Sequence, residues 1–294
     1  MKKRIIAVHL LNDRSGSPLV LRQALETLSM QYAVTLYTAT PSGDGFLSNL
    51  PGIGHRKLFY RRSNNKYVTL FFYMLSQMML FMRFVATLHK DDTVYVNTLL
   101  PFGAAMAGWL RGCKVIYHIH EVSVKPESLR TFLQRVAGFT AARMLFVSQY
   151  VADSMPAGKA RKEVIYNSLP DSFVEEAAYV RRLNRQTPFT VTMLCSLKAY
   201  KGVYHFTNIA RMMPDLNFVL VLNAPEKEVA AFRKLVKVPT NCTVHDAQKN
   251  TVPFYAQAHV VCNLSKPDGW IETFGMTLLE AMHCGRPVIC PTVG

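Results

Sequence analysis

Short apolar runs with strand character alternate along this chain with stretches of helical period, and that alternation limits the fold more than any other feature. Strands that are apolar along their whole length are typical of parallel sheets, because helices cover such sheets on both faces. A polar, arginine-rich stretch divides the alternation into two series. The sequence therefore predicts an α/β protein with two Rossmann-like parallel-sheet domains. The predicted strands span residues 4–11, 32–38, 93–99, 114–120, 144–148, 163–167, 189–197, 217–223, 242–246, 259–265 and 287–291.

The polar stretch sets the predicted domain boundaries. We expect an N-terminal domain over residues 1–170, a mobile linker over 171–188 and a C-terminal domain over 189–294. In parallel sheets of this kind, ligands bind beyond the carboxyl ends of the strands. We therefore expect the functional site to lie in a cleft between the two domains.

The chain of 294 residues carries a formal net charge of +15, which implies an anionic partner unless the basic residues form only a solvated surface. The basic residues are dispersed and no recognised DNA- or RNA-binding motif accompanies them, so nucleic acid is not the expected partner. The six cysteines include no CxxC pair, as is usual for reduced thiols of a cytosolic protein. The N-terminus lacks the long apolar segment of a signal peptide and predicts a first strand. We therefore expect a cytoplasmic protein.

The apolar stretch YVTLFFYMLSQMMLFMRFVATL, residues 67–88, is long enough to span a bilayer and follows a basic patch. Ser76, Gln77 and Arg83 interrupt it, and an arginine inside the hydrocarbon costs about 2.5–3.5 kcal/mol even on a lenient scale. A buried helix of the fold is therefore favoured over a transmembrane span. A third interpretation is a helix whose Phe- and Met-rich face contacts an anionic membrane surface, helped by basic residues of the region 55–90.

The loop NDRSGSP, residues 12–18, follows the first predicted strand. Gly16 lets the backbone come close to a ligand, and the free amides at the helix start favour an anion. The loop contains neither GxGxxG nor a Walker sequence, so it predicts neither a classical dinucleotide site nor a P-loop. A plain turn with Ser17 as N-cap and Pro18 at the first helical position fits the same residues.

The segment YHIHE ends at Glu121 and places His118 and His120 on one face of a strand. The two histidines and the carboxylate could be metal ligands, but no further ligand cluster accompanies them. A histidine at the end of a sheet strand is the better candidate for general acid–base work or for orienting a substrate. One of the two could equally serve only to hydrogen-bond the neighbouring loop.

The segment SLKAYKG follows the first strand of the second series and carries Lys198 and Lys201. Gly202 opens the next predicted helix, so two cations lie beside the free amides of a helix start. That combination would clamp a diphosphate. Solvated lysines at an ordinary turn are the alternative.

The stretch ETFGMTLLEAM begins at Glu272 and contains Glu280 eight positions later. On one continuous helix, residues eight apart lie about 80° and 12 Å from each other, so these carboxylates would not pair. The Pro and Gly of the preceding SKPDGW favour a loop that ends at Glu272, with free amides at Phe274, Gly275 and Met276 where a helix starts. Glu280 then lies inside the helix among apolar neighbours and needs donors, which sugar or ribose hydroxyls would supply.

Two glutamates separated by seven residues with an internal Phe-Gly pair, followed by Ala-Met-x-Cys-Gly-x-Pro-Val-Ile, resemble the E-x7-E signature of retaining GT-B glycosyltransferases. The chain is identified as a member of glycosyltransferase family 4, a large group that makes bacterial lipopolysaccharide, capsule and exopolysaccharide. Further segments are similar to those of the family and occur in the same order: SGSP, HIHE, FVSQYVADSM, VIYNSLP and SLKAYKG.

The resemblance implies a GT-B fold and a donor site in the second domain. Glu280 would bind the ribose hydroxyls of a nucleotide diphosphate sugar, UDP- or GDP-linked. Glu272 would act in catalysis and, with the amides of Phe274–Met276, hold the sugar and its phosphates. Lys201 would bind the diphosphate. The family has an arginine where this chain has Ser196, and Lys198 is the nearest substitute.

The resemblance also implies roles in the first domain and a place in the cell. Gly16 would lie beside the donor or acceptor, and His120 would line the sugar-transfer site as a catalytic residue. The acceptor would be lipid-linked or a saccharide, met at the inner face of the cytoplasmic membrane through the region 55–90. With no DxD motif, a metal-independent hexosyltransferase without cofactors is expected.

Two alternatives remain at this point. A nucleotide-sugar epimerase would use the same fold without an acceptor, and a catalytically silent, membrane-associated protein would only bind the nucleotide sugar. The family continues beyond the final PTVG of this chain, so we expect an incomplete second domain.

Overall fold

The computed structural model describes residues 2–39, 45–156, 158–181 and 188–293. It divides into two compact units, Met1–Asn167 and Ser168–Gly294, each with its own parallel sheet and its own core. All six cysteines are free.

The first unit contains a parallel sheet flanked by helices. Its strands are β1 (Arg4–Val8), β2 (Ala33–Thr38), β3 (Gly54–Lys57), β4 (Thr93–Asn97), β5 (Lys114–Ile119), β6 (Arg143–Phe146) and β7 (Arg161–Val164). Its helices are α1 (Gly16–Gln31), α2 (Lys66–Thr87), α3 (Phe102–Leu110), α4 (Glu127–Thr140) and α5 (Gln149–Asp153). The described strands pair in the order β3-β2-β1-β4-β5-β6-β7. Because the direction of winding reverses between β1 and β4, the loops after these strands diverge and leave a crevice.

Each strand predicted for this unit overlaps an observed one, whereas β3 was not expected. Its sequence, GHRK, contains no apolar residue and is mostly exposed. Among the described strands it pairs with β2 alone, at the edge of the sheet. Charged residues are common on edge strands, since they discourage pairing with another chain. An apolar pattern therefore cannot reveal such a strand.

Helix α2 packs on the unit with one face only. Right-handed crossovers from β3 to β4, from β4 to β5 and from β5 to β6 all run in the same direction, which puts α2, α3 and α4 on one side of the sheet. The inner face of α2 is buried and consists of Tyr73, Ser76, Gln77, Leu80 and Phe84. Its outer face exposes Tyr67, Phe71, Met74, Met78, Met79 and Met82. The inner face agrees with the predicted buried helix, and the outer face is the one that the membrane-surface interpretation requires.

By length and composition, α2 is the one helix in the described ranges that could cross a membrane. Less than a third of its apolar window is buried. The side chain of Asn65 caps its N-terminus by accepting from the amides of Tyr67 and Val68. Helices α2 and α3 are in close contact at Gly103 of α3. A Cβ atom at this position would lie only 2.2 Å from the carbonyl oxygen of Gln77 on α2.

The second unit has the same architecture with a smaller sheet. Its strands are β8 (Thr190–Cys195), β9 (Asn217–Leu222), β10 (Cys242–His245), β11 (Val260–Cys262) and β12 (Val288–Ile289). Its helices are α6 (Asp171–Val180), α7 (Val203–Met212), α8 (Glu226–Val236), α9 (Val252–Gln257) and α10 (Met276–His283), with a 3-10 turn at Ala199–Lys201. The described strands are parallel in the order β10-β9-β8-β11-β12, so the winding reverses between β8 and β11.

The segment predicted as a mobile linker, 171–188, begins with helix α6. Ala177 and Val180 of this helix are buried in one core cluster with Tyr255 and Ala281 of the second unit. The sequence carries the reason, because Ala177 and Val180 are three positions apart and fall on one helical face. Pro170 precedes the helix and Asp171 stands in its first turn, where a carboxylate is favourable. Residues 182–187 of the predicted linker lie outside the described residues.

Candidate functional site

The second unit brings a lysine and a glutamate together at the switch point of its sheet. Lys201 follows β8, Asn263 follows β11, and Glu272 lies in the loop before α10. The Lys201 Nζ donates to Glu272 Oε2 at 2.8 Å. Asn263 Nδ2 and Ser265 Oγ donate to the same oxygen at 3.0 and 3.4 Å. Asn263 and Ser265 were not predicted, because polar residues after a strand are common in any loop.

These contacts fix both the orientation and the charge of Glu272. Burial opposes ionisation, but the ammonium of Lys201 and the hydrogen bonds from Lys201, Asn263 and Ser265 outweigh it and lower the pKa of Glu272. The carboxylate is therefore ionised at neutral pH. Its second oxygen, Oε1, hydrogen-bonds nothing in the described part of the chain and is an acceptor for a ligand.

A left-handed glycine places Lys201 in this cluster. Gly202 has φ +79°, and a Cβ there would lie 2.4 Å from the carbonyl oxygen of Leu264. The glycine ends the 3-10 turn and starts α7, so Lys201 emerges where the chain turns sharply. Its ammonium also lies 5.7 Å from the ring centre of Trp270. Lys198, the second predicted cation, is exposed at the start of the same turn.

Helix α10 starts directly after the loop that carries Glu272. The sequence predicts a helix start near Phe274–Gly275, and the structure confirms it, with Gly275 as N-cap at φ +78° and Met276 as first helical residue. No side chain caps this turn. The helix start therefore presents the positive end of the helix dipole, which suits a phosphate or a sugar oxygen.

Glu280 lies inside α10, as predicted, and has a partner that the sequence did not reveal. The Tyr255 hydroxyl, fully buried on α9, donates to Glu280 Oε2 at 2.5 Å. Burial raises the pKa of Glu280 to about 7, and the hydrogen bond from Tyr255 lowers it in part. Cys284 is buried one turn later in the same core cluster. The other oxygen of Glu280 accepts no hydrogen bond from the described residues.

Arg286 ties this region to neighbouring helices. Its Nε donates to the carbonyl oxygen of Tyr255 at 2.8 Å, and its Nη2 donates to that of Ala256 at 3.0 Å. Nη2 also lies 3.4 Å from the carbonyl oxygen of Val180 at the end of α6. Arg286 therefore holds α6, α9 and the end of α10 in fixed relation, and through α9 it holds Tyr255 against Glu280.

A cluster of buried polar side chains, three of them histidines, lies at the carboxyl ends of β1, β4 and β5 in the first unit. His9 follows β1, Asn97 ends β4, and His118 and His120 lie at the end of β5. The His118 and His120 rings are 4.3 Å apart, and Tyr95 Oη lies 2.8 Å from His118 Nδ1. All three histidines are buried. Burial lowers the pKa of His9 and of His118 to about 4 and that of His120 well below its ordinary value.

Glu121 clamps two of these strand ends. Its carboxylate accepts from the amide of Leu99 at 2.7 Å and from that of His120 at 3.2 Å. Thr98, which follows β4 and precedes Leu99, has φ +72°, a strained conformation for a β-branched residue. Its amide donates to the His118 carbonyl oxygen at 2.8 Å. Burial raises the pKa of Glu121 to about 7, against the opposing backbone hydrogen bonds. Both oxygens of the Glu121 side chain thus accept hydrogen bonds from backbone amides.

In the loop NDRSGSP, helix α1 starts earlier than predicted. The N-cap is Ser15, and Gly16 is the first helical residue, exposed. The Ser15 side chain and amide both donate to Asp13 Oδ1, at 2.5 and 2.9 Å, so Ser15 does not cap the helix amides. Ser17 was predicted as N-cap but lies one position inside the helix, because Asp13 holds the turn earlier. Its carbonyl oxygen accepts from Asn97 at 3.2 Å.

No group of three or more His, Cys, Asp or Glu side chains suited to a metal ion occurs in residues 2–39, 45–156, 158–181 and 188–293. At the predicted HxH pair, one nitrogen of each ring already contacts a neighbour, Tyr95 or Asn97. The two polar clusters lie after the strands between which the winding of each sheet reverses, β1 and β4 in the first unit and β8 and β11 in the second.

Comparisons with known proteins agree with this geometry. Residues 15–173 match a family model described as "Glycosyltransferase Family 4", and residues 188–294 match one described as "Glycosyl transferases group 1". No curated protein sequence matches the chain.

Several solved structures are similar over almost the whole chain. HepE from Anabaena, in complex with UDP and glucose, has a TM-score of 0.75 and 20% identity over 100% of this chain and 82% of that one. A glycosyltransferase from Rickettsia africae has a TM-score of 0.67 and 15% identity, covering 100% and 80%. WaaG, a glycosyltransferase involved in lipopolysaccharide biosynthesis, has a TM-score of 0.66 and 14% identity, covering 99% and 81%.

At identities of 20% or less, these structural matches show the fold alone. Together with the two parallel-sheet units they confirm the predicted GT-B class. The family itself is carried by the sequence matches. Because the model for residues 15–173 covers more than half of the chain, the protein belongs to glycosyltransferase family 4 and is a glycosyltransferase.

Proposed function

We propose that this enzyme transfers a hexose, with retention at the anomeric carbon, from a nucleotide diphosphate sugar to a lipid-linked or saccharide acceptor. The observation that carries the proposal is the Lys201–Glu272 ion pair beside the uncapped start of α10. A cation and the positive end of a helix suit a diphosphate, and a fixed carboxylate suits sugar hydroxyls. The HepE complex with UDP and glucose makes UDP-glucose the first donor to test and GDP-sugars the next.

In this proposal the charged cluster stabilises the leaving group. An ammonium has three N–H donors, and Glu272 takes one of those of Lys201, which leaves two for diphosphate oxygens. As the bond to the sugar breaks, negative charge grows on the diphosphate, and Lys201 and the amides of Phe274–Met276 stabilise it. Exposed Lys198 supplies a second, more distant cation. A bound metal ion is not required for this step.

In this proposal, two carboxylates bind different parts of the donor. Glu272, ionised and held by Lys201, accepts a hydrogen bond from a sugar hydroxyl through Oε1 and orients the sugar for transfer. Glu280 accepts from the ribose hydroxyls, while the buried hydroxyl of Tyr255 holds its other oxygen. Burial raises the pKa of Glu280 to about 7. The hydroxyl groups of a bound ribose add hydrogen bonds to this carboxyl and so favour its ionised form.

The first unit contributes His120 and Gly16. His120 is neutral at pH 7, because burial lowers its pKa, and it lines the place where the sugar is transferred. Gly16 is exposed at the start of α1, so a ligand can approach its backbone without meeting a side chain. Together they supply neutral groups to the sugar or acceptor and no positive side chain for the phosphates.

We further propose that the outer face of α2 meets an anionic membrane surface, where a lipid-linked acceptor for bacterial surface polysaccharide would be found. That face exposes aromatic and methionine side chains. Basic side chains border it: Arg61 lies 5.9 Å from the ring centre of Phe72, and Lys66 lies 5.1 Å from that of Tyr67. Helix α2 contains no acidic residue. Apolar and basic groups in this combination suit the interface of an anionic leaflet, which gives a peripheral protein at the inner membrane face.

The transfer proposal is tested by incubating the full-length protein with labelled UDP- and GDP-sugars and a bacterial membrane extract. Label in a lipid or saccharide product, with the anomeric configuration of the donor retained, supports the proposal. Inversion of that configuration contradicts the retaining mechanism. Epimerised free nucleotide sugar would identify the epimerase instead, and nucleotide binding without turnover would identify the silent binding protein.

The membrane proposal is tested by co-sedimentation with vesicles of phosphatidylglycerol and of phosphatidylcholine. Met78→Glu adds a charge to the outer face of α2 and is expected to reduce binding to the anionic vesicles several-fold. Met30→Glu is the matched control, because Met30 is also an exposed methionine of the first unit but lies on α1. Equal losses in both variants, or binding that does not depend on anionic lipid, would contradict the proposal.

A further inference from the structure

Asn97 is a fully buried residue at the end of β4 whose side chain contacts three parts of the first unit. Its Nδ2 donates to the Ser17 carbonyl oxygen at 3.2 Å and lies 3.1 Å from His9 Nδ1. Its Oδ1 lies 2.9 Å from His120 Nε2. One amide thus joins the start of α1, the end of β1 and the end of β5.

These partners determine which way the amide faces. The Ser17 carbonyl oxygen can only accept a hydrogen bond, so the atom of Asn97 beside it must be the amide nitrogen. A flipped amide would set its oxygen against that carbonyl, a contact of two acceptors. Oδ1 therefore faces His120, and because this oxygen can only accept, His120 Nε2 must carry the proton.

A neutral imidazole carries one proton, so His120 Nδ1 has a free lone pair. The imidazole is neutral at pH 7, since burial first, and His118 and His9 next, lower the pKa of His120. Nδ1 hydrogen-bonds nothing in the described part of the chain. The neighbouring titratable groups do not compete for it: His9 contacts Asn97, His118 Nδ1 contacts Tyr95, and the Glu121 carboxylate binds backbone amides.

We infer that Asn97 is a positioning residue that holds His120 in the Nε2-protonated tautomer, so that Nδ1 accepts a hydrogen bond from a hydroxyl group of the sugar substrate. The inference rests on the proposed function, in which His120 lines the transfer site. It also names the class of group recognised there. A hydroxyl can donate to an imidazole lone pair, whereas a phosphate oxygen or a carboxylate meets it as a second acceptor.

The test is the tautomer itself, read from the 15N chemical shifts of the ring nitrogens in histidine-labelled full-length protein at neutral pH. Comparison with His120→Gln assigns the signals. The wild-type protein is expected to show His120 with Nε2 protonated and Nδ1 not protonated. Nδ1 protonation in the wild-type spectrum would overturn the inference without the need for any variant.

Two substitutions of Asn97 then act in different ways. Asn97→Leu removes the acceptor, so His120 loses its fixed tautomer. Asn97→Asp keeps an acceptor but adds a carboxylate, which favours a proton on both ring nitrogens and removes the lone pair. Both are expected to lower kcat for sugar transfer about 10- to 100-fold, up to the cost of a small misplacement of a reacting group, with UDP affinity within about twofold.

Tyr95→Phe is the matched control, because it removes a hydrogen bond from the neighbouring His118 in the same buried cluster. It should leave the His120 tautomer unchanged. Wild-type tautomer signals for His120 in folded Asn97→Leu would overturn the inference. If the tautomer behaves as inferred but the wild-type enzyme transfers no sugar from any nucleotide sugar, the proposed function fails and the role of Asn97 in setting the tautomer stands.

Discussion

The polar clusters at the carboxyl ends of the two sheets occupy equivalent places and differ in charge. The cluster of the second unit pairs the ammonium of Lys201 with the carboxylate of Glu272. The cluster of the first unit consists of His118 and His120 with their side-chain partners Tyr95 and Asn97, and burial keeps the imidazoles neutral. A charged cluster suits the diphosphate of a donor, and a neutral one suits hydroxyl groups. The same strand topology thus presents two kinds of site, chosen by the side chains that follow the strands.

The two glutamates of the E-x7-E stretch show the same contrast over eight positions. Lys201 lowers the pKa of Glu272 in spite of burial, whereas burial raises the pKa of Glu280 to about 7 with one hydroxyl donor to oppose it. The ammonium of Lys201, together with the hydrogen bonds from Asn263 and Ser265, therefore separates a carboxylate with a lowered pKa from one that titrates near neutral pH.

The largest effect is expected for Glu272→Gln, which removes the charged half of the contrast. The variant loses the ion pair with Lys201 and the carboxylate that is proposed to orient the sugar. We expect kcat/KM for the donor to fall by about 100- to 1000-fold, as for removal of one preorganised electrostatic contact. Steady-state transfer kinetics with UDP-glucose measure it.

A matched control for this variant is Glu226→Gln on α8. Glu226 also pairs with a basic side chain of the second unit, Arg233, at 2.7 Å, but it is mostly exposed. The activity of the Glu226→Gln variant should stay within about twofold of wild type, because exposed ion pairs contribute little to stability. If the two variants lost activity equally, Glu272 would have no special role and the contrast between the clusters would break down.

A smaller effect, on stability, is expected from Glu280→Gln, which mimics the protonated carboxyl. Because the folded-state pKa is raised to about 7 from 4.5, the stability that the protonated carboxyl provides is fully present below pH 4.5 and is lost as pH rises through 7. The variant should therefore differ least from the wild type at pH 5 and should unfold at a higher temperature than the wild type at pH 8. The gain is on the order of 3 kcal/mol at most, from about 1.4 kcal/mol per unit of pKa.

Thermal unfolding of both proteins across that pH range measures this difference. Glu121 also titrates near pH 7 but is present in both proteins, so its contribution cancels. A difference between wild type and Glu280→Gln that did not grow between pH 5 and 8 would show that Glu280 is not held in the environment described.

The sequence predicts the elements of this fold well and their contacts poorly. Apolar strands and the loop-to-helix boundary after Glu272 have local signals, and both were predicted. Tyr255 lies 25 positions from Glu280 and Asn97 lies 23 from His120, so nothing local joins them. Strand order brings them together, and a single sequence does not give that order. The helix α6 was missed for another reason: its polar face outweighed the short apolar face that it buries.

The division between a charged and a neutral cluster is tested most directly by calorimetric titration of UDP into full-length wild type, Lys201→Met and His120→Gln. A charge-assisted hydrogen bond contributes about 1.5–3 kcal/mol, so Lys201→Met should weaken UDP about 10- to 100-fold. His120→Gln should leave the affinity within about twofold, because the neutral cluster is proposed to meet hydroxyl groups and not phosphates. Unchanged UDP affinity in Lys201→Met, or an equal loss in both variants, would contradict the account.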